Sequence, residues 1–171
     1  MSAQWLELEG AVCVVTGATG GIGRSIVTTL ADAGARVVIM DRDEAAVHEF
    51  AALVGRGALG LVCDISSEPT LLAARDAVAK AFGRCDVLVN NAAVITPRSL
   101  MDASLEEWNR NVAINLTGYF LCSRVFGAQM METGGGAIVH VGSIAVELPQ
   151  PNGLDYSACK AGVRLCPGRL P

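Results

Sequence analysis

Short apolar runs alternate with amphipathic stretches along the chain. Five runs rich in valine, isoleucine or leucine predict strands at Ala11–Thr16, Arg36–Asp41, Ala58–Cys63, Asp86–Asn90 and Ala137–Ser143. The runs are continuously apolar and do not alternate with polar residues, as in strands buried on both faces. Helical patterns lie between them. Ile22, Ile26 and Leu30 recur every four residues, and Gly34 is placed to close that helix. Ser67 predicts the start of another helix, with Pro69 in its first turn and Leu71, Ala74, Val78 and Phe82 on one face. A long helix after Asp102 opens on the capping box Ser104-Leu-Glu-Glu107 and carries Trp108, Val112, Leu116, Tyr119 and Phe120. The alternation predicts an α/β fold: a Rossmann-type doubly wound parallel sheet in three αβα layers.

Composition narrows the function classes. The 171 residues are 51% apolar, 18% charged and only 5% aromatic, which suits one packed domain and argues against disorder. A net charge of −4, with no basic stripe, disfavours nucleic acid and anionic membrane surfaces as partners, leaving a small molecule. The first ten residues lack a secretory signal pattern, and no apolar run is long enough to span a bilayer. Six cysteines are scattered without a C-x-x-C pair, so no metal site is expected. Buried thiols in a reducing cytoplasm fit them better.

Between the first strand and first helix lies Thr16-Gly17-Ala18-Thr19-Gly20-Gly21-Ile22-Gly23. Glycines permit a tight turn and a close backbone approach, and the free N–H groups of a helix start attract an anion. A glycine run alone often marks only a turn. Here the strand-loop-helix context points to a dinucleotide pyrophosphate. Asp41 ends the second strand 18 residues beyond Gly23, where an acid can accept from both adenosine ribose hydroxyls and repel a 2′-phosphate. That favours NAD over NADP. Arg42 is the opposing sign, and Asp41 as a simple turn residue is the other open reading.

The spacing T-G-x-x-x-G-x-G resembles the loop of the short-chain dehydrogenase/reductase family. Asp64 and Ile65 follow the third strand, where the family contacts the adenine. Asn90-Asn91-Ala92-Ala93 is similar to the family's N-N-A-G, with Ala93 in place of glycine. Asn115 lies in the long helix, Ser143 ends the fifth strand, and Tyr156-Ser-Ala-Cys-Lys160 matches Y-x-x-x-K. These matches occur in order across roughly residues 8 to 163.

The resemblance implies a cofactor site made by Gly17, Thr19, Gly21, Ile22, Gly23, Asp41, Arg42, Asp64, Ile65, Asn91, Ala92, Ala93, Tyr156 and Lys160. It implies the catalytic set Asn115, Ser143, Tyr156 and Lys160, interconverting a secondary alcohol and a ketone. Tyr156 and Lys160 stand four apart on one helix face, so the ammonium lies near the phenol and favours the phenolate. Family likeness makes Tyr156 the general acid/base, and Lys160 also a ligand of the nicotinamide ribose. Ser143 would bind the substrate oxygen, and Asn115 would hold a water relayed to Lys160. A satisfied structural amide is the other reading of Asn115. A serine hydrolase is disfavoured: Ser143 has no G-x-S-x-G elbow, His140 falls on the opposite strand face, and His48 lies in a polar helix. Val94, Ile95, Thr96, Glu147 and Leu148 flank the expected pocket without naming a substrate.

The family's long helix is expected to continue past Lys160, but here the text reads Arg164-Leu-Cys-Pro-Gly-Arg-Leu-Pro171. Pro167 and Gly168 oppose a helix. Codons permitted for this stretch, read out of frame, can spell Ala-Leu-Ser-Arg-Ala-Leu-Ala, so a frameshift near Arg164 is the hypothesis. The expectation is an incomplete domain over residues 1–163 and an aberrant tail over 164–171. The fifth strand becomes an exposed edge, and the family's lid and oligomer interface are largely lost. The alternative function is then a non-catalytic fragment that binds nucleotide weakly. A downstream reading frame that encodes no further helix and strands would overturn the frameshift.

Overall fold

A computed structural model of the chain describes residues 7–148 and 151–165. Of the predicted aberrant tail over 164–171, Arg164 ends the last helix and Leu165 caps it, while Cys166, Pro167, Gly168 and the residues after them lie outside the described residues.

The strands are β1 (Val12–Thr16), β2 (Arg36–Asp41), β3 (Leu59–Val62), β4 (Val87–Asn90) and β5 (Ala137–His140). They form one parallel sheet in the order β3-β2-β1-β4-β5. The helices are α1 (Gly21–Asp32), α2 (Glu44–Val54), α3 (Glu68–Phe82), α4 (Leu105–Val112), α5 (Gly118–Glu132) and α6 (Leu154–Arg164). The Rossmann-type, doubly wound architecture is therefore present. β1 is buried at all five positions, which is why its sequence is a run of apolar residues and threonine.

Alternate residues of β1 feed two cores. Val12 and Val14 pack with Leu71, Val78, Leu88 and Phe126 beneath α3 and α5, while Cys13 and Val15 pack with Val27, Ile39 and Phe50 beneath α1 and α2. Leu88 is fully buried between the sheet and those helices. Leu88→Ala is expected to destabilise the fold by about 3 kcal/mol, read from the midpoint of urea unfolding.

Several predicted details shift. The strands predicted from Ala11, Ala58 and Asp86 each start one residue later. Asp86 stays out of β4 because its carboxylate accepts from the Val12 N–H (2.8 Å) and the Arg84 side chain (2.6 Å). β3 also stops at Val62, short of Cys63. β5 ends at His140 rather than Ser143, because Ser143 caps a 3₁₀ turn, Ile144–Val146, through an Oγ contact from the Ala145 N–H (3.1 Å).

α1 buries Gly23, Val27 and Ala31 in place of the predicted Ile22, Ile26 and Leu30 stripe. Ile22 is 63% exposed, and Ile26 and Leu30 are half-buried against the core. Gly34 takes a left-handed φ of +88° just beyond the helix, as its predicted closing role requires. Ser67 occupies the cap position of α3, but its side chain accepts no cap bond. Its predicted face holds, with Leu71, Ala74 and Val78 buried and Phe82 packed against them.

The capping box of α4 forms as predicted, with Glu107 N–H donating to Ser104 Oγ at 3.1 Å and Ser104 N–H to Glu107 Oε2 at 3.2 Å. The predicted long helix is not uniform: a π-helical turn at Ala113–Thr117 joins α4 to α5. It rotates Asn115 and Tyr119 inward, while Trp108 and Phe120 are 37% and 55% exposed. Five cysteines (13, 63, 85, 122 and 159) are buried free thiols.

Candidate active site

Connections from β1 run outward through β2 to β3, and those from β4 run the other way to β5. The crevice between the C-terminal ends of β1 and β4 is the switch point, where such sheets bind ligands. Gly17 follows β1 with φ +59°, and a Cβ there would lie 2.5 Å from the Ala92 Cα after β4. A Cβ on Gly23 would sit 2.2 Å from the Gly17 carbonyl oxygen. Gly17 lets the loop close against the segment after β4, and Gly23 lets α1 close against the loop. Gly21, by contrast, faces open space.

A second set of bonds latches the loop to β4. The Thr16 hydroxyl accepts from the N–H groups of Asn91 (3.0 Å) and Ala92 (3.1 Å). The Asn91 side chain donates to the carbonyls of Thr16 and Gly17, both at 3.0 Å. Asp41 clamps the other side. Its Oδ2 accepts from the Thr19 N–H (3.1 Å) and hydroxyl (2.6 Å), and its Oδ1 from the Arg42 N–H (2.8 Å). Arg24 donates to the Thr19 carbonyl at 2.9 Å and lies over the Phe50 ring.

These elements enclose an open cavity of about 540 Å³. Its walls are the glycine loop with Thr19 and Ile22, then Asp41-Arg42, Asp64-Ile65, Asn91 to Ala93, and Tyr156. Thus thirteen of the fourteen predicted cofactor residues converge; Lys160 is not in its wall. Gly20 of the glycine motif and Ile95, expected to flank the pocket, also line it, as do Cys63 and Ile114, which were not singled out in the sequence. The cavity fits an anionic dinucleotide. α1 has neither a side-chain cap nor an acidic residue in its first turn, so its N-terminal N–H groups remain available to an anion.

The predicted catalytic residues are placed unevenly. Asn115 is fully buried, with its Oδ1 accepting from the Val94 N–H (2.9 Å) and its Nδ2 donating to the Val94 carbonyl (2.8 Å). These paired bonds brace the loop after β4. Tyr156 is half-buried at the cavity, and Ser143 lines a separate hollow beside β5 together with His140 and Lys160. His140 Nδ1 lies 3.2 Å from Asn90 Nδ2 and its ring stacks on Tyr119. His48 is exposed beside Glu44.

Lys160 is only 1% exposed. Its Nζ donates to the Tyr119 hydroxyl at 2.8 Å and the Val141 carbonyl at 2.7 Å, and lies 5.7 Å from the Tyr156 ring centre. Burial pushes its pKa down to about 8, partly offset by Cys159. Burial and the Lys160 charge lower that of His140, while burial and Tyr156 raise that of Tyr119. Sequence reading placed Tyr119 only on an apolar face. Its position four residues after Asn115 was the available signal. The contact between Asn111, buried in α4, and Asp155 of α6 was also not foreseen.

Fold, loop and cavity together define a Rossmann-type nucleotide-binding protein. The family model for short chain dehydrogenase matches residues 11–166, and the chain belongs to that family. It is 42% identical over 160 residues to D-threitol dehydrogenase of Mycolicibacterium smegmatis, covering 92% of this chain and 62% of the relative. Among solved structures, 3-ketoacyl-(acyl-carrier-protein) reductase from Brucella melitensis complexed with NADH superposes with a TM-score of 0.88 at 37% identity, covering 91% of this chain and 66% of that one. NAD+-bound xylitol dehydrogenase gives 0.87 at 31%, covering 92% and 62%. The chain thus spans about 62% of the length of the curated relatives it matches. No helix among the described residues is long and apolar enough to cross a membrane. No cluster of three or more metal-ligating side chains occurs among them.

Proposed function

We propose that this chain carries the nucleotide site and the proton-transfer residues of an NAD-dependent oxidoreductase that interconverts a secondary alcohol and a ketone. The observation that carries the reading is the convergence of the glycine loop, Asp41, Asp64, Asn91 and Tyr156 on one cavity. Relatives named as dehydrogenases of D-threitol and xylitol support an alcohol substrate. The NADH- and NAD+-bound neighbours support the cofactor.

The glycine loop and the start of α1 hold the pyrophosphate, and Asp64 with Ile65 borders the adenine. Asp41 accepts from the adenosine ribose at Oδ1, where one of the carboxylate's roughly four lone-pair sites is left after Thr19 takes two and Arg42 one. Its negative charge opposes a 2′-phosphate, favouring NAD over NADP. When bound, the nicotinamide ring supplies the hydride acceptor. Tyr156 moves the hydroxyl proton as general acid/base, Ser143 orients the substrate oxygen, and Lys160 supplies positive charge beside Tyr156 and a donor to the nicotinamide ribose. Asn115 braces the loop through Val94, and its remaining lone pair and N–H are what a relayed water would use. The setting is a cytoplasmic one, with a small alcohol or ketone as partner.

Thermal melting with millimolar NAD or NADP tests the site. At about 100 times Kd, binding adds about 2.7 kcal/mol, a rise of roughly 5–10 °C. NAD is expected to raise the transition more than NADP, and Asp41→Asn to narrow that preference about five- to tenfold in affinity. A cooperative transition moved by neither nucleotide sinks the reading and leaves a fragment without a competent site.

A further inference from the structure

Lys160 sits where α5, α6 and the end of β5 meet, and its ammonium has two oxygen partners, the Tyr119 hydroxyl and the Val141 carbonyl. The carbonyl is backbone and fixed by the sheet. The hydroxyl is the chemically replaceable half of that cradle. Tyr119 is fully buried, its ring stacks on His140 with centroids 5.7 Å apart, and its helix follows directly on the π-helical turn Ala113–Thr117. The Lys160 Nζ is 4.5 Å from the Tyr119 ring centre and 5.7 Å from that of Tyr156.

We propose that Tyr119 is a positioning residue: its hydroxyl, with the Val141 carbonyl, seats the Lys160 ammonium beside Tyr156. This rests on the reading of Tyr156 and Lys160 given above, and extends it to a residue outside the catalytic set. The direction of the bond matters. An ammonium has three donors and no acceptor, so Tyr119 accepts from Lys160 and keeps its own proton. A buried ammonium with a single acceptor would be poorly compensated for lost water, and would hold its proton less well.

The other titratable or charged groups around Lys160 are His140 on β5 and Tyr156, Asp155 and Cys159 on α6, with the Glu147–Arg164 ion pair across the 3₁₀ turn. Asp155 is occupied by the Asn111 side chain and the Tyr156 N–H, which leaves the two phenols, the imidazole and the Cys159 thiol as the near neighbours. A neutral acceptor favours the charged lysine, so deleting it lowers the lysine's proton affinity.

The composition makes the test direct, because Lys80 and Lys160 are the two lysines and Tyr119 and Tyr156 the two tyrosines. With labelled lysine, NMR titration of the full chain and of Lys80→Arg assigns the Lys160 signal. Tyr119→Phe keeps the ring stack and removes one oxygen. It is expected to move the Lys160 midpoint down by about one pH unit, the size of a hydrogen bond to a charged group. An unchanged midpoint overturns the proposal. If that variant does not fold, carbon labelling of the tyrosine ring carbon bearing the hydroxyl reads the wild-type chain instead, with Tyr156→Phe as assignment. The Tyr119 signal should inflect at the Lys160 midpoint, and a flat Tyr119 signal there also overturns it. Neither readout depends on nucleotide. A chain that fails to bind NAD but shows the coupled titration refutes the functional reading and leaves the Tyr119–Lys160 contact standing.

Discussion

Gly23→Ala is expected to destabilise the chain by about 3 kcal/mol, lower its melting temperature by roughly 10 °C and abolish the shift produced by NAD. The added methyl carbon meets the Gly17 carbonyl oxygen at 2.2 Å and the Ala18 Cα at 2.8 Å. Both obstacles are backbone, so no side chain can rotate away. Relief requires α1 to move from the loop, and the loop is tied to β4 by Thr16 and Asn91 and to β2 by Asp41. Separation would therefore disturb the cavity as well as the packing. Gly21→Ala is the matched control, because a Cβ there meets nothing within 4 Å. It should melt within a degree or two of wild type, so any loss of NAD response there reports on the ligand and not on the fold. Equal melting temperatures for Gly23→Ala and wild type would refute the geometry of the loop.

The sequence reading located all five strands because each is apolar on both faces, a pattern with few alternative explanations. It missed by a residue or more where a side chain, not hydropathy, sets the boundary. Asp86 is kept out of β4 by its bond to Val12, and Ser143 is kept out of β5 by the turn it caps. The α1 stripe failed for a functional reason. Gly23 must be buried for the loop to close, which turns Ile22 out toward the cavity, and hydrophobic spacing cannot weigh that demand.

Most of the cavity wall was legible because its residues lie in contiguous motifs at strand ends. The surroundings of Lys160 were not, since they arise from contacts between residues 41 and 19 positions apart. Tyr119 reads as one more apolar position until the π-helical turn is known, and neither propensity nor spacing announces such a turn. Asn115 was open between two readings in the sequence; its paired bonds to Val94 use one acceptor site and one N–H and leave one of each, so they are compatible with both.

Lys160→Met should change stability in a way that depends on pH. In the unfolded chain Lys160 titrates near 10.5, and in the folded chain near 8, chiefly because burial disfavours the charge. Between those values the folded state binds fewer protons than the unfolded one, so wild-type stability rises with pH across that window. The penalty is present in full below about pH 8 and fades as pH approaches 10.5. At about 1.4 kcal/mol per pH unit, it is on the order of 3 kcal/mol. Buried thiols act in the opposite sense. Cys13 and Cys85, held up at about 12 from 9.0, cost stability as pH rises above 9.0. Those thiols are common to both proteins, so the comparison removes them. From pH 7 to pH 10 the difference in unfolding free energy should move by about 2–3 kcal/mol in favour of wild type. Urea titrations of both proteins across that range measure it, and a difference that stays constant with pH would show that Lys160 carries no buried charge. The absolute offset is a separate quantity, since methionine also leaves the Tyr119 hydroxyl and the Val141 carbonyl without their donor. A lysine buried at this cost, with its proton affinity lowered by burial, is the kind of local instability that reactive sites retain.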